Sequence, residues 1–210
     1  MTTKLDIPTF AGPAHAEIDR PHSPPTALLV LTHGAGGGTN SHDLLAAGAA
    51  ALQVGVAVVR LTQPYVVAGR RSPPVPEKQD EAWLAAVAAL RRRRGFKELP
   101  LIVGGRSNGA RVACRTATAS GAVGVVALAF PVHPPGKPEA SRLAELDAAG
   151  VPVLVVQGER DPFGMPPAGA DRTVVVIDGA DHSLKRGLAT VASAVTEFVT
   201  TVAGRASVVS

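Results

Sequence analysis

Three side chains of this sequence could together perform nucleophilic acyl chemistry. Ser107 is the central residue of a G-x-S-x-G pattern, and Asp161 and His182 follow it along the chain in that order. A serine hydroxyl is a weak nucleophile, so it needs a histidine that takes its proton and a carboxylate that orients the histidine. We therefore expect Ser107 to be the nucleophile, His182 the base and Asp161 the orienting carboxylate.

The sequence does not settle which carboxylate orients the histidine. Glu159, Asp178 and Asp181 lie close along the chain to the expected position. One of them could serve instead of Asp161, in which case Asp161 would only shape a turn.

The elements that must position these residues are predicted by an alternation of patterns. From Thr26 onward, apolar β-branched runs alternate with alanine-rich amphipathic runs, which is typical of βαβ units on a parallel sheet. The predicted strands are Ala27–Leu31, Val56–Leu61, Leu101–Val103, Val123–Ala129, Val151–Val156 and Thr173–Ile177. The predicted helices are Ser41–Gln53, Glu77–Arg94, Asn108–Ala119, Pro138–Ala149 and Leu184–Ala203.

These elements give the three residues a common location. Ser107 lies between the predicted strand Leu101–Val103 and the predicted helix Asn108–Ala119. A strand-to-helix turn of this kind exposes the serine of a G-x-S-x-G pattern. Asp161 and His182 each follow a later predicted strand, and ligands bind at the carboxyl ends of the strands in open α/β sheets. We expect all three side chains to meet at that edge.

A glycine-rich run ends the first predicted parallel strand, from His33 to Gly38. Such a turn can direct a backbone N–H at a developing oxyanion, and we expect that of Ala35, with Gly34 as the alternative. The second donor is the backbone N–H of Asn108, the residue after the serine. A phosphate-binding loop is not expected, because Thr39 stands where G-x-G-x-x-G needs its third glycine.

The loop from Pro131 to Pro138 lies where many proteins of this architecture insert a helical cap, and it is too short to hold one. We therefore expect an open substrate cleft lined by Tyr65, His133 and the turn at Ala35. For His133, packing among the prolines remains an alternative. His33 is expected to fix the glycine turn through hydrogen bonds rather than to act in catalysis.

At the two ends of the chain, the sequence predicts edge strands and a tail. Residues 4–20 resemble an antiparallel strand pair at the sheet edge, with Gly12-Pro13 as the turn. Residues 1–25 then comprise edge strands and a lead-in, and residues 204–210 a frayed tail. We expect residues 1–210 to form a single domain.

The charge of the chain does not indicate a nucleic-acid partner. The net charge is +4, and Arg91 to Arg94 form a basic run that closes a predicted helix just before Gly95. Cations complement a helix C-terminus and glycine caps it, which explains the run. Only 3% of the residues are aromatic, so few bases could stack on this protein.

The composition indicates a globular protein without a metal centre or a membrane span. Of the 210 residues, 46% are hydrophobic, yet no apolar run approaches the length of a membrane-spanning helix. Lys4 and Asp6 lie where a signal peptide would have its apolar core, so we expect a cytoplasmic protein. Cys114 is the single cysteine, which excludes an internal disulfide, and we expect it to be buried.

With these segments identified, the chain resembles the cap-less α/β-hydrolases, in which the order is serine, acid, histidine. More narrowly, it is similar to the dienelactone-hydrolase-like group that includes testis-expressed protein 30 and the hydrolase-like domain of non-specific-lethal complex subunit 3. The narrower likeness depends on four segments, His33–Gly38, Gly104–Ala113, Pro131–Glu139 and Gln157–Gly164. Asn108 departs from the group, which commonly has methionine there.

The residues and the resemblance together imply a serine hydrolase of carboxylic esters or related acyl compounds. It would act on a small-molecule acyl substrate through an acyl-enzyme, with no metal or organic cofactor. A thioester or a small peptide bond stays open, because the same nucleophile and oxyanion donors serve all three. A non-catalytic interaction module with this fold is the alternative from another class. The physiological substrate and the oligomeric state are not predicted.

Overall fold

The computed structural model describes residues 2–209, and side chains through residue 206. In this part of the chain eight strands form one sheet in the order β1-β2-β4-β3-β5-β6-β7-β8. The strands are β1 (Thr2–Thr9), β2 (Gly12–Asp19), β3 (Ala27–Thr32), β4 (Val56–Thr62), β5 (Leu101–Arg106), β6 (Ala122–Leu128), β7 (Val153–Gly158) and β8 (Arg172–Ile177). The helices are α1 (His42–Gln53), α2 (Pro64–Val67), α3 (Pro76–Arg91), α4 (Asn108–Ser120), α5 (Leu143–Asp147) and α6 (Leu188–Val209).

The sheet is mostly parallel, as the sequence predicts. Strands β3 to β8 pair in parallel, while β1 pairs with β2 and β2 with β4 in the antiparallel sense. In the register of β3 and β5, Thr32 lies opposite Gly105 at the carboxyl ends of both strands. The end of the first parallel strand therefore adjoins the G-x-S-x-G turn.

Helices cover both faces of the sheet, which the sequence also predicts. Side chains alternate across a strand, so Leu28 and Val30 face the core beneath α3, α4 and α5, while Leu29 and Leu31 face the core beneath α1 and α6. All four are fully buried. A strand buried on both faces has no polar side to show, which explains the continuous apolar runs in the sequence.

Two helices begin later than predicted, for local reasons. Helix α5 starts at Leu143 rather than Pro138 because the Arg142 N–H is donated to the Val132 carbonyl instead of continuing a helical ladder. Helix α6 starts at Leu188 rather than Leu184, since Leu184 and Gly187 have φ of +47° and +68°, outside the helical region.

The structure extends the last helix and adds a short one. Helix α6 continues to Val209 through residues that the sequence assigns to a frayed tail, and Ser210 lies outside the described residues. The four-residue helix α2, at Pro64–Val67, was not predicted. It begins at a proline, which favours the first turn of a helix.

The edge hairpin is present, but its predicted turn is wrong. Thr9 pairs with Gly12, so the turn is formed by Phe10 and Ala11 rather than by Gly12-Pro13. The Thr9 hydroxyl donates a hydrogen bond to the Gly12 carbonyl at 2.6 Å and accepts one from the Ala11 N–H at 3.2 Å. This side chain closes the turn two residues earlier than the glycine and proline suggest.

In the described part of the chain, no cap is inserted between β6 and α5. Residues 129–142, all of them described, contain neither helix nor strand. Within residues 2–209 no helix has the length and apolar character needed to cross a membrane.

The packing of β5 against its neighbours generates a stability prediction. A Cβ at Gly104 would lie 2.4 Å from the Val126 carbonyl oxygen, a backbone atom that cannot rotate away. We expect Gly104→Ala to lower the free energy of unfolding by about 1–3 kcal/mol. The measurement is urea unfolding.

Gly204→Ala is the matched control. A Cβ at Gly204, in α6, would meet nothing within 4 Å. Alanine favours helix over glycine, so this variant should gain about 0.5–1 kcal/mol. If the two variants change stability by the same amount, the close approach at β5 does not constrain the sheet.

Candidate active site

The turn at Ser107 is strained and is held by backbone contacts. Ser107 has φ +51° and ψ −115°, a conformation that non-glycine residues rarely adopt. Its N–H is donated to the Leu128 carbonyl at 2.9 Å, which ties the turn to the end of β6. A Cβ at Gly105 or at Gly109 would lie 2.5 or 2.6 Å from the Thr32 carbonyl oxygen. Both flanking positions therefore require glycine, so that β5 and α4 can approach β3.

Ser107, His182 and Asp161 form one chain of hydrogen bonds. His182 Nε2 lies 2.9 Å from Ser107 Oγ, and His182 Nδ1 lies 2.8 Å from Asp161 Oδ2. A carboxylate only accepts, so Nδ1 carries the proton and Nε2 is left to accept from the serine hydroxyl. The Phe163 ring packs edge-on against the imidazole, with ring centroids 4.5 Å apart. This arrangement can move a proton from the serine to the histidine.

The neighbouring carboxylates lie elsewhere. Glu159 accepts the Gly179 N–H at 2.8 Å. Asp181 accepts the backbone N–H and the hydroxyl of Ser183, and these hydrogen bonds lower the pKa of Asp181. Among the described residues, none of Glu159, Asp178 and Asp181 forms a hydrogen bond or ion pair with the His182 ring.

The carboxylate of Asp161 is enclosed and oriented by further donors. Its side chain is fully buried, its Oδ1 accepts the Phe163 N–H at 2.9 Å, and its Oδ2 accepts the Gln157 amide at 2.9 Å. The same Gln157 nitrogen donates to the carbonyls of Phe130 and Gly164. Sequence reasoning missed the role of Gln157, although the residue lies in a segment that carries the resemblance.

The side chain of Arg106, whose role the sequence did not reveal, holds the loop that carries His182. Arg106 donates from Nη2 to the His182 carbonyl at 2.7 Å and from Nε to Asp43 Oδ2 at 2.9 Å. The Asp43 side chain is fully buried in α1. Arg106 occupies the first variable position of G-x-S-x-G, and Asp43 lies 63 residues earlier, so no spacing pattern connects them.

The glycine-rich turn lies directly against the serine. The Gly37 N–H is donated to the Gly34 carbonyl at 3.0 Å, and a Cβ at Gly34 would lie 3.4 Å from that of Ser107. Within residues 2–209, the backbone N–H groups of Ala35 and Asn108 are donated to no protein acceptor. Two free donors thus flank the serine. Asn108 as a residue is only 6% exposed, and its side-chain Nδ2 is buried.

His33 and Tyr65 support this turn from behind. The ring of His33 donates from Nδ1 to the Gly34 carbonyl at 2.7 Å and accepts the Gln63 N–H at Nε2, at 3.0 Å. The Tyr65 hydroxyl donates to the Ala35 carbonyl at 2.9 Å. Burial raises the pKa of Tyr65 to about 12, so its hydroxyl stays a donor.

The structure does not bring Tyr65 and His133 to the cleft wall, where the sequence placed them. Tyr65 is only 6% exposed and lies behind the turn. His133 is half-buried, with Nδ1 3.0 Å from the Pro134 carbonyl and its N–H donated to Phe163. Its side chain contacts Pro134 and lies beside Gly164, and it is not among the residues that line the cavity beside the serine.

A cavity of about 550 Å³ opens beside the serine. Ser107, His182 and residues 34–37 form its floor, and Pro131 and Phe163 contribute apolar walls. This volume suits a small ligand. Cys114 does not line this cavity, since it is buried in α4. Burial raises the pKa of its thiol to about 12.

A family model described as an alpha/beta hydrolase domain matches residues 25–207. The chain therefore belongs to the α/β-hydrolase domain family. No curated protein matches the sequence significantly.

Solved structures share the fold at low sequence identity. An α/β serine hydrolase without a lid from Xanthomonas campestris has a TM-score of 0.75 and 20% identity, covering 95% of this chain and 94% of that one. A dienelactone hydrolase from Anabaena variabilis has a TM-score of 0.76 and 15% identity over 96% and 97% of the two chains. An esterase domain from Rhodothermus marinus has a TM-score of 0.71 and 16% identity over 97% and 98%.

The burial and hydrogen bonds of His33 generate a prediction about how the stability of the protein depends on pH. Burial lowers the pKa of His33 below its ordinary 6.5, although the hydrogen bond to Gly34 acts in the opposite direction. The unfolded chain therefore takes up this proton first as the pH falls. The stability that neutral His33 contributes is present above about pH 6.5 and is lost below it.

We expect native protein to lose more unfolding free energy than His33→Asn between about pH 7.5 and about pH 5.5. Urea unfolding at both pH values measures the difference, and nitrogen NMR of the ring should report a proton on Nδ1 at neutral pH. An Nε2–H form would contradict the assignment.

Proposed function

We propose that this protein is a serine hydrolase that cleaves carboxylic esters or related acyl compounds through an acyl-enzyme. The observation that carries the proposal is the unbroken hydrogen-bond chain from Asp161 Oδ2 through His182 to Ser107 Oγ, with distances of 2.8 and 2.9 Å. Nucleophile, base and orienting acid have these mutual contacts in triad enzymes.

The reaction follows from the positions of these atoms. Ser107 Oγ attacks the substrate carbonyl carbon while His182 Nε2 takes the hydroxyl proton. The imidazolium then gives that proton to the leaving alcohol, and the acyl group stays on the serine. Water attacks the acyl-enzyme with His182 again as base, which releases the acid and restores Ser107. Asp161 stabilises the imidazolium in both steps.

The oxyanion would be bound by the free backbone N–H groups of Asn108 and Ala35, with that of Gly34 as the alternative. Both free donors flank Ser107. Asn108 begins α4, and the positive end of a helix dipole favours negative charge there. Preorganised donors of this kind stabilise the transition state more than the ground state.

An interaction module without catalysis explains the site less well. The strain at Ser107 and the enclosed charge of Asp161 both cost stability, and neither is needed to build the sheet. Such costs concentrate at functional sites.

The narrower relationship to the testis-expressed protein 30 group is also a proposal. The segment Pro131–Glu139 supports it, since its His-Pro-Pro-Gly-Lys-Pro string is specific to that group.

Ser107 should be the single serine labelled by an alkyl fluorophosphonate, and Ser107→Ala should abolish labelling and lower kcat for 4-nitrophenyl acetate on the order of 10⁶-fold. Peptide mapping and initial rates measure the two effects. Ser120→Ala, at the far end of α4, is the control and should behave as native protein. Undiminished turnover by folded Ser107→Ala would refute the assignment.

Asp161→Asn should lower kcat by about 10⁴-fold, because an amide can hold the histidine in the wrong tautomer. Asp181→Asn is the matched control, since that carboxylate contacts Ser183 instead. Its rate should stay within about twofold of native, as expected for an exposed group outside the site. If Asp181→Asn were the crippling change, the orienting acid would be misassigned.

A further inference from the structure

The charged side chains around the cavity are all cations. Within residues 2–209, the charged residues that line it are Arg106, Arg111 and Arg142, and no carboxylate lines it. Arg106 is paired with buried Asp43. Arg111 is bound by both oxygens of Glu145, at 2.6 and 2.5 Å. Two of the three charges are therefore compensated from outside the cavity.

Arg142 is the exception. In the described part of the chain its guanidinium has no hydrogen-bond or ion-pair partner, whereas its backbone N–H is fixed by the Val132 carbonyl at 2.7 Å. The nearby carboxylate of Glu145 is already shared by Arg111 and Arg115. The group is thus anchored by its backbone next to the site while its charge is left free.

The surroundings make this charge a strong attractor of anions. Arg142 is half-buried, and burial together with the positive charges of Arg111 and Arg115 lowers its pKa, although Glu145 acts in the opposite direction. A cation beside apolar walls is poorly hydrated, so its attraction for an anion that enters the cavity is stronger than it would be in open water. The planar guanidinium offers a fork of donors that matches a carboxylate.

We propose that Arg142 binds a carboxylate of the substrate, so that this protein acts on esters carrying a second, anionic carboxyl group. The inference rests on the proposed function and assigns its substrate class. A short carbon skeleton would lie against Pro131 and Phe163, with its ester carbonyl at Ser107 and its carboxylate on the guanidinium. The anionic group could belong to the acyl part or to the leaving group.

Two matched pairs of esters test whether a negative charge is preferred on the acyl part or on the leaving group. On the acyl side, 4-nitrophenyl hydrogen adipate is compared with 4-nitrophenyl methyl adipate. On the leaving side, 4-acetoxybenzoate is compared with methyl 4-acetoxybenzoate. After subtraction of the uncatalysed rate, native protein should have a kcat/KM at least about tenfold higher for the anionic member of one pair, because charge-assisted hydrogen bonds have that strength.

Arg142→Met should remove this preference and leave kcat/KM for the neutral esters within about twofold of native, since Arg142 does not touch the reacting atoms. Arg142→Lys should retain part of the preference, because it keeps the charge and loses the fork. Arg94→Met is the matched control on an exposed arginine of the basic run, and it should keep the native preference.

A binding measurement separates this inference from the proposed function. In calorimetry, Ser107→Ala protein should bind methyl hydrogen adipate with higher affinity than dimethyl adipate. Adding Arg142→Met to that variant should abolish the difference in affinity. Hydrolysis of both members of each pair at equal rates would overturn the carboxylate site and leave the hydrolase standing. Anion-selective binding without any turnover would overturn the hydrolase activity and leave the carboxylate site standing. A rate loss in Arg142→Met that is equal for charged and neutral esters would also overturn it.

Discussion

The backbone contact between the Thr32 carbonyl and the glycines on either side of Ser107 is the constraint on which the site depends. A Cβ at Gly105 or Gly109 would lie 2.5 or 2.6 Å from that oxygen, so only glycine lets β3, β5 and α4 come together. The strained turn at Ser107 lies at this contact, and Gly34 lies against it. One close contact thereby places both the Ser107 side chain and the backbone that faces it.

The loops that supply His182 and Asp161 are held by polar side chains as well as by apolar packing. Arg106 connects the His182 carbonyl to buried Asp43, and Gln157 connects Asp161 to the end of β6. Buried charges and amides are costly to desolvate, and they tolerate few alternative geometries. They therefore fix the loops more narrowly than interchangeable apolar contacts would. The histidine and the acid keep their relative orientation for this reason.

Under the proposed function, a site without a cap would select its substrate by charge more than by burial of apolar surface. Residues 129–142 contain no helix that could cover the cavity, so we expect little free energy from transferring the methylenes of a bound chain out of water. Recognition in such a site depends on a few polar groups of fixed position. Arg106 and Arg111 each have an ion-pair partner in the protein, whereas Arg142 has none among the described residues.

The sequence alone determined the parallel sheet, its flanking helices and the candidate residues Ser107, Asp161 and His182, because apolar strand runs and G-x-S-x-G are local patterns. Only the tertiary structure distinguished Asp161 from the neighbouring carboxylates and placed Tyr65 behind the glycine turn instead of in the cleft. It alone revealed the link from Arg106 to Asp43, which lies 63 residues away. Contacts between distant segments produce no recognisable spacing pattern in the sequence. They depend on how the chain packs and not on which residues are neighbours along it.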